Sequence, residues 1–308
     1  MRARRRLIIN FCIFIWCFLV THLACAQPHF MWLVKKGQQD FWLAGVSHSV
    51  LQEFSTLPVF FDHAYRNSTA IIPESILYTG QQQPPLRTSY SSHPSEATTK
   101  ILAKLVSEKL LTEYMAKNFL DKPVEEFQNY FDAAFQEGTK HQPTRTYVEG
   151  YDAQLTRRAI SEKKPIDVLE SRWRRYEVWA DLCSSEADRD QLVIHLDHAI
   201  RTKPDIDTFF YNSQIALQKG DLKVEIENQK KWVSSVRYSQ HFEKCSVIPR
   251  NKEWIKVIPK LMEKHKRPFI IVGSWHLYSK ESLLELLEKD GFSLQRFDAN
   301  FYLDQTRR

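Results

Sequence analysis

The fold is decided by one stretch near the end of the chain, Pro268-Phe269-Ile270-Ile271-Val272-Gly273-Ser274-Trp275-His276. Its apolar run predicts a strand that is buried on both faces, and the glycine lets the backbone turn sharply where the strand ends. The histidine then lies just past the carboxyl end of the strand, where open α/β sheets bind their ligands. The stretch therefore predicts an α/β sheet with a functional site at one edge.

The same pattern occurs 228 residues earlier, where the apolar run Phe41-Trp42-Leu43-Ala44 is followed by Gly45-Val46-Ser47-His48. Together with the apolar segment 30–34, this run predicts a β-hairpin. Imidazole is the commonest protein ligand of metals, and a catalytic metal needs about three protein ligands. Taken singly, each histidine fits a residue that only caps its strand. As a pair on neighbouring strands, His48 and His276 indicate a metal-dependent enzyme.

Two glutamates follow apolar runs in the same way. Glu74 comes directly after Ala70-Ile71-Ile72-Pro73, and Glu170 ends the predicted short strand 165–169. Carboxylates at strand ends could complete a metal shell or accept a proton from a bound water. An acid that interacts with a helix N-terminus explains each residue equally well.

The pair Arg250-Asn251 precedes a predicted helix over 251–264, with Asn251 as its N-cap. An arginine at this point could hold a substrate carboxylate or a carbonyl oxyanion. The alternative is an arginine paired with an acid of the core.

The order of the predicted elements indicates the fold class. Short strands lie near both ends of the chain, and helical patterns fill the region between them, at about 95–235. We therefore expect an α/β protein whose small mixed sheet is built from N- and C-terminal segments, with a large helical insertion or cap. Within that insertion, helices are predicted over 95–119, 123–135 and 150–160, and a polar loop over 79–97 precedes them.

Residues 1–26 are predicted to be a signal peptide. A cluster of four arginines precedes the apolar run Leu7 to Val20, and Ala24-Cys25-Ala26 supplies the small residues that precede a cleavage site. Cleavage before Gln27 would leave one domain over 27–308 in a periplasmic or secreted compartment. The alternatives are an uncleaved membrane anchor and a lipoprotein attached through Cys25.

Charge and cysteine usage narrow the function classes. The formal net charge of +6 falls to +2 once the four arginines of the signal are removed, so the balance favours no nucleic-acid partner. Membrane association would come only through a retained anchor. Of the five cysteines, Cys183 and Cys245 remain in the mature chain, and an oxidising compartment predicts a disulfide between them.

Taken in order, several segments resemble the TraB/GumN family, which includes the Tiki-type proteins. The matching pieces are both Gly-x-x-His stretches, the acids Glu74 and Glu170 with their preceding runs, Gly150-Tyr151-Asp152-Ala153-Gln154-Leu155, and Arg250-Asn251-Lys252-Glu253-Trp254. The resemblance implies an α/β core, similar to that of erythromycin-esterase-like hydrolases, with the paired histidines and acids around a divalent metal. Some animal members are metal-dependent peptidases.

Two functions follow as hypotheses. The first is an exported metal-dependent hydrolase of peptide or amide bonds, which binds Mn, Co or Zn through His48, His276 and Glu74. In it, Glu74, Glu170 and Arg250 are catalytic, and Gly45, Gly273 and Asn251 support the site. The second is a degenerate family member that binds a peptide or small molecule, because Val46, Pro73 and Trp275 depart from the family pattern.

Overall fold

The computed structural model describes most of the chain between residues 30 and 297. The described ranges are 30–75, 95–121, 133–134, 137–140, 145–171, 174–183, 185–235 and 243–297. The predicted signal peptide, most of the polar loop 79–97 and most of the predicted helix 123–135 lie outside them. The single domain over 27–308 likewise stays a prediction.

A β-hairpin begins the described chain, as predicted. Strands β1 (Met31–Lys36) and β2 (Gln39–Val46) pair antiparallel, with Leu33 opposite Trp42. The turn between them contains Gly37 at a φ of 60°, a left-handed conformation that glycine adopts without a Cβ clash. The hairpin thereby brings β2 into the middle of the sheet.

In the described ranges, the main sheet has five strands and combines N- and C-terminal segments. Strand β6 (Phe269–Gly273) runs parallel to β2 on one side and to β4 (Ile71–Pro73) on the other, and β7 (Ser293–Arg296) pairs antiparallel with β1. The order is β4-β6-β2-β1-β7. The sheet is therefore mixed and built from N- and C-terminal segments, which confirms the predicted class.

Helices cover both faces of this sheet, because alternate residues of a strand point to opposite sides. On one face Trp42 and Ile271 belong to a core packed beneath helices α1 (Val59–Arg66) and α4 (Tyr151–Glu162). On the other face Leu43 and Ile270 pack with α9 (Ile248–Lys264) and α10 (Leu283–Lys289). Burial on both faces explains why the central strands are almost continuously apolar.

The predicted helical insertion lies between β4 and β6. Its remaining helices are α2 (Glu96–Ser107), α3 (Glu113–Asp121), α5 (Arg174–Leu182), α6 (Glu186–Arg201), α7 (Lys203–Lys219) and α8 (Leu222–Ser235). The single helix predicted over 95–119 was wrong: the chain turns at Lys109, which has a φ of 59°, and α3 starts afterwards. Cys183 and Cys245 form the predicted disulfide, with 5.8 Å between their Cα atoms.

Two local predictions were wrong in their details, and one further element was not predicted. The strand over 165–169 is reduced to one parallel bridge between Ile71 and Ile166, although Leu169 still donates to the carbonyl of Pro73. Asn251 is not an N-cap, because α9 begins at Ile248 after a π-helical turn over Glu243–Val247. A second sheet, β3 (Ser49–Leu51) with β5 (Tyr147–Glu149), was not predicted.

None of the helices in the described ranges is long and apolar enough to cross a membrane.

Candidate functional site

The two Gly-x-x-His motifs lie at one edge of the sheet. Strands β2 and β6 are parallel neighbours, and their register places Gly45 opposite Val272 and Val46 opposite Gly273. Both strands therefore end at the same level, and the histidines follow on turns at the carboxyl end. A Cβ on Gly45 would meet the Leu277 Cδ1 atom at 2.7 Å, so its lack of a side chain lets the two turns approach each other.

Glu74 is the point on which both imidazoles converge. It follows β4, and its Oε1 lies 3.6 Å from the Nε2 of His48 and 3.7 Å from the Nε2 of His276. The backbone N–H of Gly273 donates to the same oxygen at 2.6 Å. A Cβ on Gly273 would stand 2.9 Å from His48 Nε2 and 3.3 Å from Glu74 Oε1. The second motif therefore needs its glycine to leave room for the site.

Arg250 links the acids to the second histidine. Its Nη2 donates to Glu74 Oε2 at 2.5 Å and to Glu170 Oε1 at 2.6 Å. Its Nε donates to both oxygens of Glu170, and its Nη1 lies 3.2 Å from His276 Nε2. Four of the five guanidinium protons are thus used, and the remaining Nη1 proton has no partner in the described part of the chain. The folded chain brings the predicted residues together. Among them, Glu170 accepts hydrogen bonds from Arg250 and from the indole N–H of Trp254.

Asn251 sets the tautomer of His276. The Asn251 Nδ2 donates to the carbonyl oxygens of His276 and Glu281, at 3.3 and 3.1 Å. Its Oδ1 must then accept from His276 Nδ1, 2.6 Å away. The proton of a neutral His276 is therefore on Nδ1, and the Nε2 lone pair faces Arg250. Asn251 orients the His276 ring and does not cap a helix, contrary to the predicted N-cap.

Asp152 is a site residue that sequence reasoning missed. Its Oδ2 lies 2.8 Å from His48 Nδ1, and the neighbouring Gly150 N–H donates to the His48 carbonyl at 2.9 Å. The signal is the segment Gly150-Tyr151-Asp152, which resembles the family but carries no pattern that assigns Asp152 a role. Trp254 was missed in the same way: its ring packs 4.3 Å from that of His276 and contacts the Arg250 guanidinium.

The surroundings give the two histidines opposite protonation states. The surrounding chain removes part of the water around the His48 ring and so disfavours its charged form, but the charge of Glu74 and the contact with Asp152 outweigh this and raise the pKa of His48 to about 10. Burial dominates at His276 and, with the nearby Arg250 charge, lowers its pKa to about 3. At neutral pH, His48 is a cation and His276 is neutral.

The same competition between burial and nearby charges shifts the pKa values of Glu74 and Glu170 in opposite directions. Burial favours neutral Glu74, but the Arg250 cation, with the two imidazoles, holds the pKa of Glu74 well below its ordinary value. For Glu170 burial outweighs the Arg250 charge and raises the pKa. Burial lowers the pKa of Arg250, but the two carboxylates raise it above its ordinary value, so the guanidinium stays charged. The site therefore contains a fixed cation.

Solvent reaches the site from the side of His48. The His48 side chain is 55% exposed, whereas that of Glu74 is 11% exposed and those of His276, Arg250 and Glu170 are each 5% exposed. A ligand would therefore meet His48 first and the buried residues behind it.

The donor set fits a divalent cation, although the side chains do not form a closed metal shell. Two ligands bound at 2.0–2.1 Å to a tetrahedral ion lie roughly 3.4 Å apart, a few tenths of an ångström less than the two distances to Glu74 Oε1. Each Nδ1 is oriented by an oxygen, from Asp152 or Asn251, as is usual for metal-binding histidines. Within the described residues, no group of three or more His, Cys, Asp or Glu is already arranged as a metal site. Binding would require His48 to lose a proton and Arg250 to release His276 Nε2.

Comparison with known proteins identifies the family. Residues 30–296 match the model of the TraB/PrgY/gumN family, which covers both histidine motifs, the two acids and Arg250. Neither a curated protein nor a solved structure matches the chain. Because the match extends over most of its length, the chain belongs to the TraB/PrgY/gumN family.

Proposed function

We propose that this protein is an exported hydrolase of peptide or amide bonds that uses a divalent metal ion. The observation that supports the proposal most directly is the convergence of His48 Nε2 and His276 Nε2 on Glu74 Oε1. These three side chains would hold the ion, and mixed imidazole and carboxylate ligands suit Mn, Co or Zn. When bound, such an ion supplies Lewis-acid activation of water or of a carbonyl group.

Three residues of the chain would have separate roles beside the ion. Glu74 stays ionised at neutral pH, the form that binds a cation or accepts a proton from water. Arg250 would stabilise negative charge on the carbonyl oxygen through its remaining Nη1 proton. Glu170 holds the guanidinium in place with hydrogen bonds to its Nε and Nη2, so we assign it a positioning role.

Metal content and turnover test the proposal together. The mature chain, incubated with Mn²⁺, Co²⁺ or Zn²⁺ and then desalted, should retain about one ion and cleave members of a quenched peptide library. His48→Asn should lose both properties, because it removes a ligand at an exposed position. His198→Asn, on the exposed surface of α6, is the matched control and should keep both. Near-zero metal in the wild type with all three ions would contradict the metal-dependent mechanism.

A binding module that performs no catalysis is the second candidate. It is favoured by the Arg250 Nη1 contact with His276 Nε2, because that contact occupies the lone pair that a metal would need. Trp275, one of the departures from the family pattern, does not decide the matter, since its indole N–H bonds to Glu243 in the turn before α9. Peptide cleavage that disappears in Glu74→Gln and persists in Glu162→Gln would exclude this candidate.

Export is the remaining part of the proposal. It rests on the basic and apolar character of residues 1–26, and the Cys183–Cys245 disulfide is consistent with an oxidising compartment. Mass spectrometry of the protein from its native cell should give an N-terminus at Gln27. An intact N-terminus at Met1 would contradict the proposed cleavage.

A further inference from the structure

An apolar cleft adjoins the candidate site. About 370 Å³ of free space, part of it open to solvent, lies between its walls. The end of β2, from Gly45 to Ser47, contributes one side, and Leu217 of α7 is part of another. The aromatic lining residues are Phe30, Phe54, Phe60, Phe61 and Tyr151.

The cleft reaches the site along two chain segments. Ser47 lines the cleft and is followed by His48, and Tyr151 lines it and is followed by Asp152. His48 and Asp152 form the exposed pair of the site. A group seated in the cleft is therefore next to the residues that a ligand meets first.

Each polar side chain of the lining already makes a hydrogen bond within the protein. The Gln214 amide accepts from the Leu51 N–H at 2.6 Å and donates to the Ser49 carbonyl at 3.2 Å. Gln218 donates to the Tyr151 hydroxyl, which donates to the carbonyl of Phe54. None of the described residues that line the cleft carries a charged side chain. A charged group would lose its hydration in this cleft without gaining a partner, so the walls favour an uncharged apolar group.

We propose that the cleft binds an apolar side chain, aliphatic or aromatic, of the peptide or amide substrate. The side chain would belong to a residue beside the bond that is cleaved near His48. That the bound molecule is a substrate rests on the proposed hydrolase function. The preference for apolar groups rests on the cleft alone. Small changes in an apolar pocket change discrimination by about 10- to 200-fold, so leucine or phenylalanine should be preferred over lysine by at least about ten-fold.

Direct binding tests the preference without any need for turnover. The probes are N-acetylated tripeptide amides with alanine, leucine, phenylalanine or lysine at the central position, measured by calorimetry on the mature chain in excess EDTA. The leucine and phenylalanine peptides should bind at least about ten-fold more tightly than the other two. Equal affinity for all four peptides, or tighter binding of lysine, would overturn the proposal.

Variants of the wall locate the bound side chain. Leu217→Phe narrows the cleft and should weaken the phenylalanine peptide about ten-fold or more while leaving alanine unchanged. Leu182→Phe makes the same change at a position that is 55% exposed and should alter nothing. If Leu217→Phe does not fold, Phe54→Leu at a partly buried wall position should instead improve the relative binding of the larger side chains. Unchanged selectivity in a folded wall variant would place the side chain outside the cleft.

The rates of cleavage separate this inference from the hydrolase proposal. Turnover that shows no preference for apolar residues would support a hydrolase and overturn the role of the cleft. Apolar selectivity in binding without turnover under any metal would support the cleft and overturn the hydrolase. Agreement between the binding order and the order of kcat/KM supports both.

Discussion

The two Gly-x-x-His motifs share their spacing and their place at the sheet edge, and yet their histidines differ in almost every physical property. His48 is 55% exposed, has a raised pKa and is oriented by the carboxylate of Asp152. His276 is 5% exposed, has a lowered pKa and is oriented by the amide of Asn251. The difference indicates that one half of the site is a buried, hydrogen-bonded framework and the other is the accessible half.

The largest expected effect comes from removing the buried cation. Arg250→Met would leave Glu74 and Glu170 buried without their shared partner, which costs about 3–5 kcal/mol for a broken buried ion pair. Urea unfolding should show a loss of this size in the free energy of unfolding. Arg201→Met, at an ion pair that is about one-third exposed, is the control and should cost roughly 0–1 kcal/mol. Equal losses in the two variants would mean that Arg250 does not hold the buried half together.

The histidines themselves should differ in stability cost. His276→Ala opens a cavity beside Trp254 and leaves Asn251 Oδ1 without its donor, so we expect a loss on the order of 2–4 kcal/mol. His48→Ala removes a half-exposed ring whose ion pairs are screened by solvent, so it should cost less than His276→Ala. Thermal and urea unfolding of the two variants measure the difference. A reversed order would break the distinction between a buried and an accessible half.

The two glycines should differ in what they disturb. Gly45→Ala pushes against Leu277 and the Ser274 backbone inside the core, and overpacking of this kind costs roughly 1–3 kcal/mol. Gly273→Ala pushes against His48, whose exposed ring can move into solvent. We therefore expect Gly273→Ala to keep most of its free energy of unfolding and to lose ligand binding at the site. Unfolding curves measure the first property, and metal content measures the second. Retention of metal by Gly273→Ala would show that the close packing at His48 is not needed.

The opposite pKa shifts predict stability losses on opposite sides of pH 6.5. The folded-state pKa of His48 is raised to about 10, so its contribution is present below 6.5 and is lost as the pH rises towards 10. The folded-state pKa of His276 is lowered to about 3, so its contribution is present above 6.5 and is lost as the pH falls towards 3. The free energy of unfolding of the metal-free protein should be measured across this pH range for the wild type and for His48→Asn. The substitution should flatten the dependence of stability on pH on the alkaline side alone. Flattening of the acid side would reassign the two shifts.

The smallest effect is expected for Asp152→Asn. The substitution keeps a hydrogen-bond acceptor beside His48 Nδ1 and removes a negative charge, so the pKa of His48 should fall. Titration of the histidine ring protons by NMR detects the change, and stability should shift by less than about 1 kcal/mol. An unchanged titration would show that Glu74 alone sets the charge of His48.

Much of the fold could be predicted because its signals are local. Continuous apolar runs that end in glycine predicted β2 and β6, and two runs separated by a polar turn predicted the hairpin. The strand-end rule then placed His48, His276 and Glu74 at one edge. The short strand before Glu170 was wrong because the segment makes only one bridge, with Ile166.

The residues that were missed lie on helices that meet the site only through packing. Asp152 lies on α4 and reaches His48 across 104 residues of chain, and Trp254 lies on α9 beside Glu170. No periodicity in either helix marks these side chains as different from other helix residues. Asn251 was expected to cap α9, but the π-helical turn before it moves the helix start to Ile248.

Two like strands that end in Gly-x-x-His, and acids that follow other apolar runs, can be recognised in the sequence because strand period and glycine flexibility are local properties. That one histidine is neutral and buried and the other charged and accessible depends on contacts that form only in the folded chain. The pKa of an imidazole depends on burial and on the charges within a few ångströms of it. At this site those charges come from Arg250, Glu74 and Asp152, which are far apart in the chain and meet only when it folds.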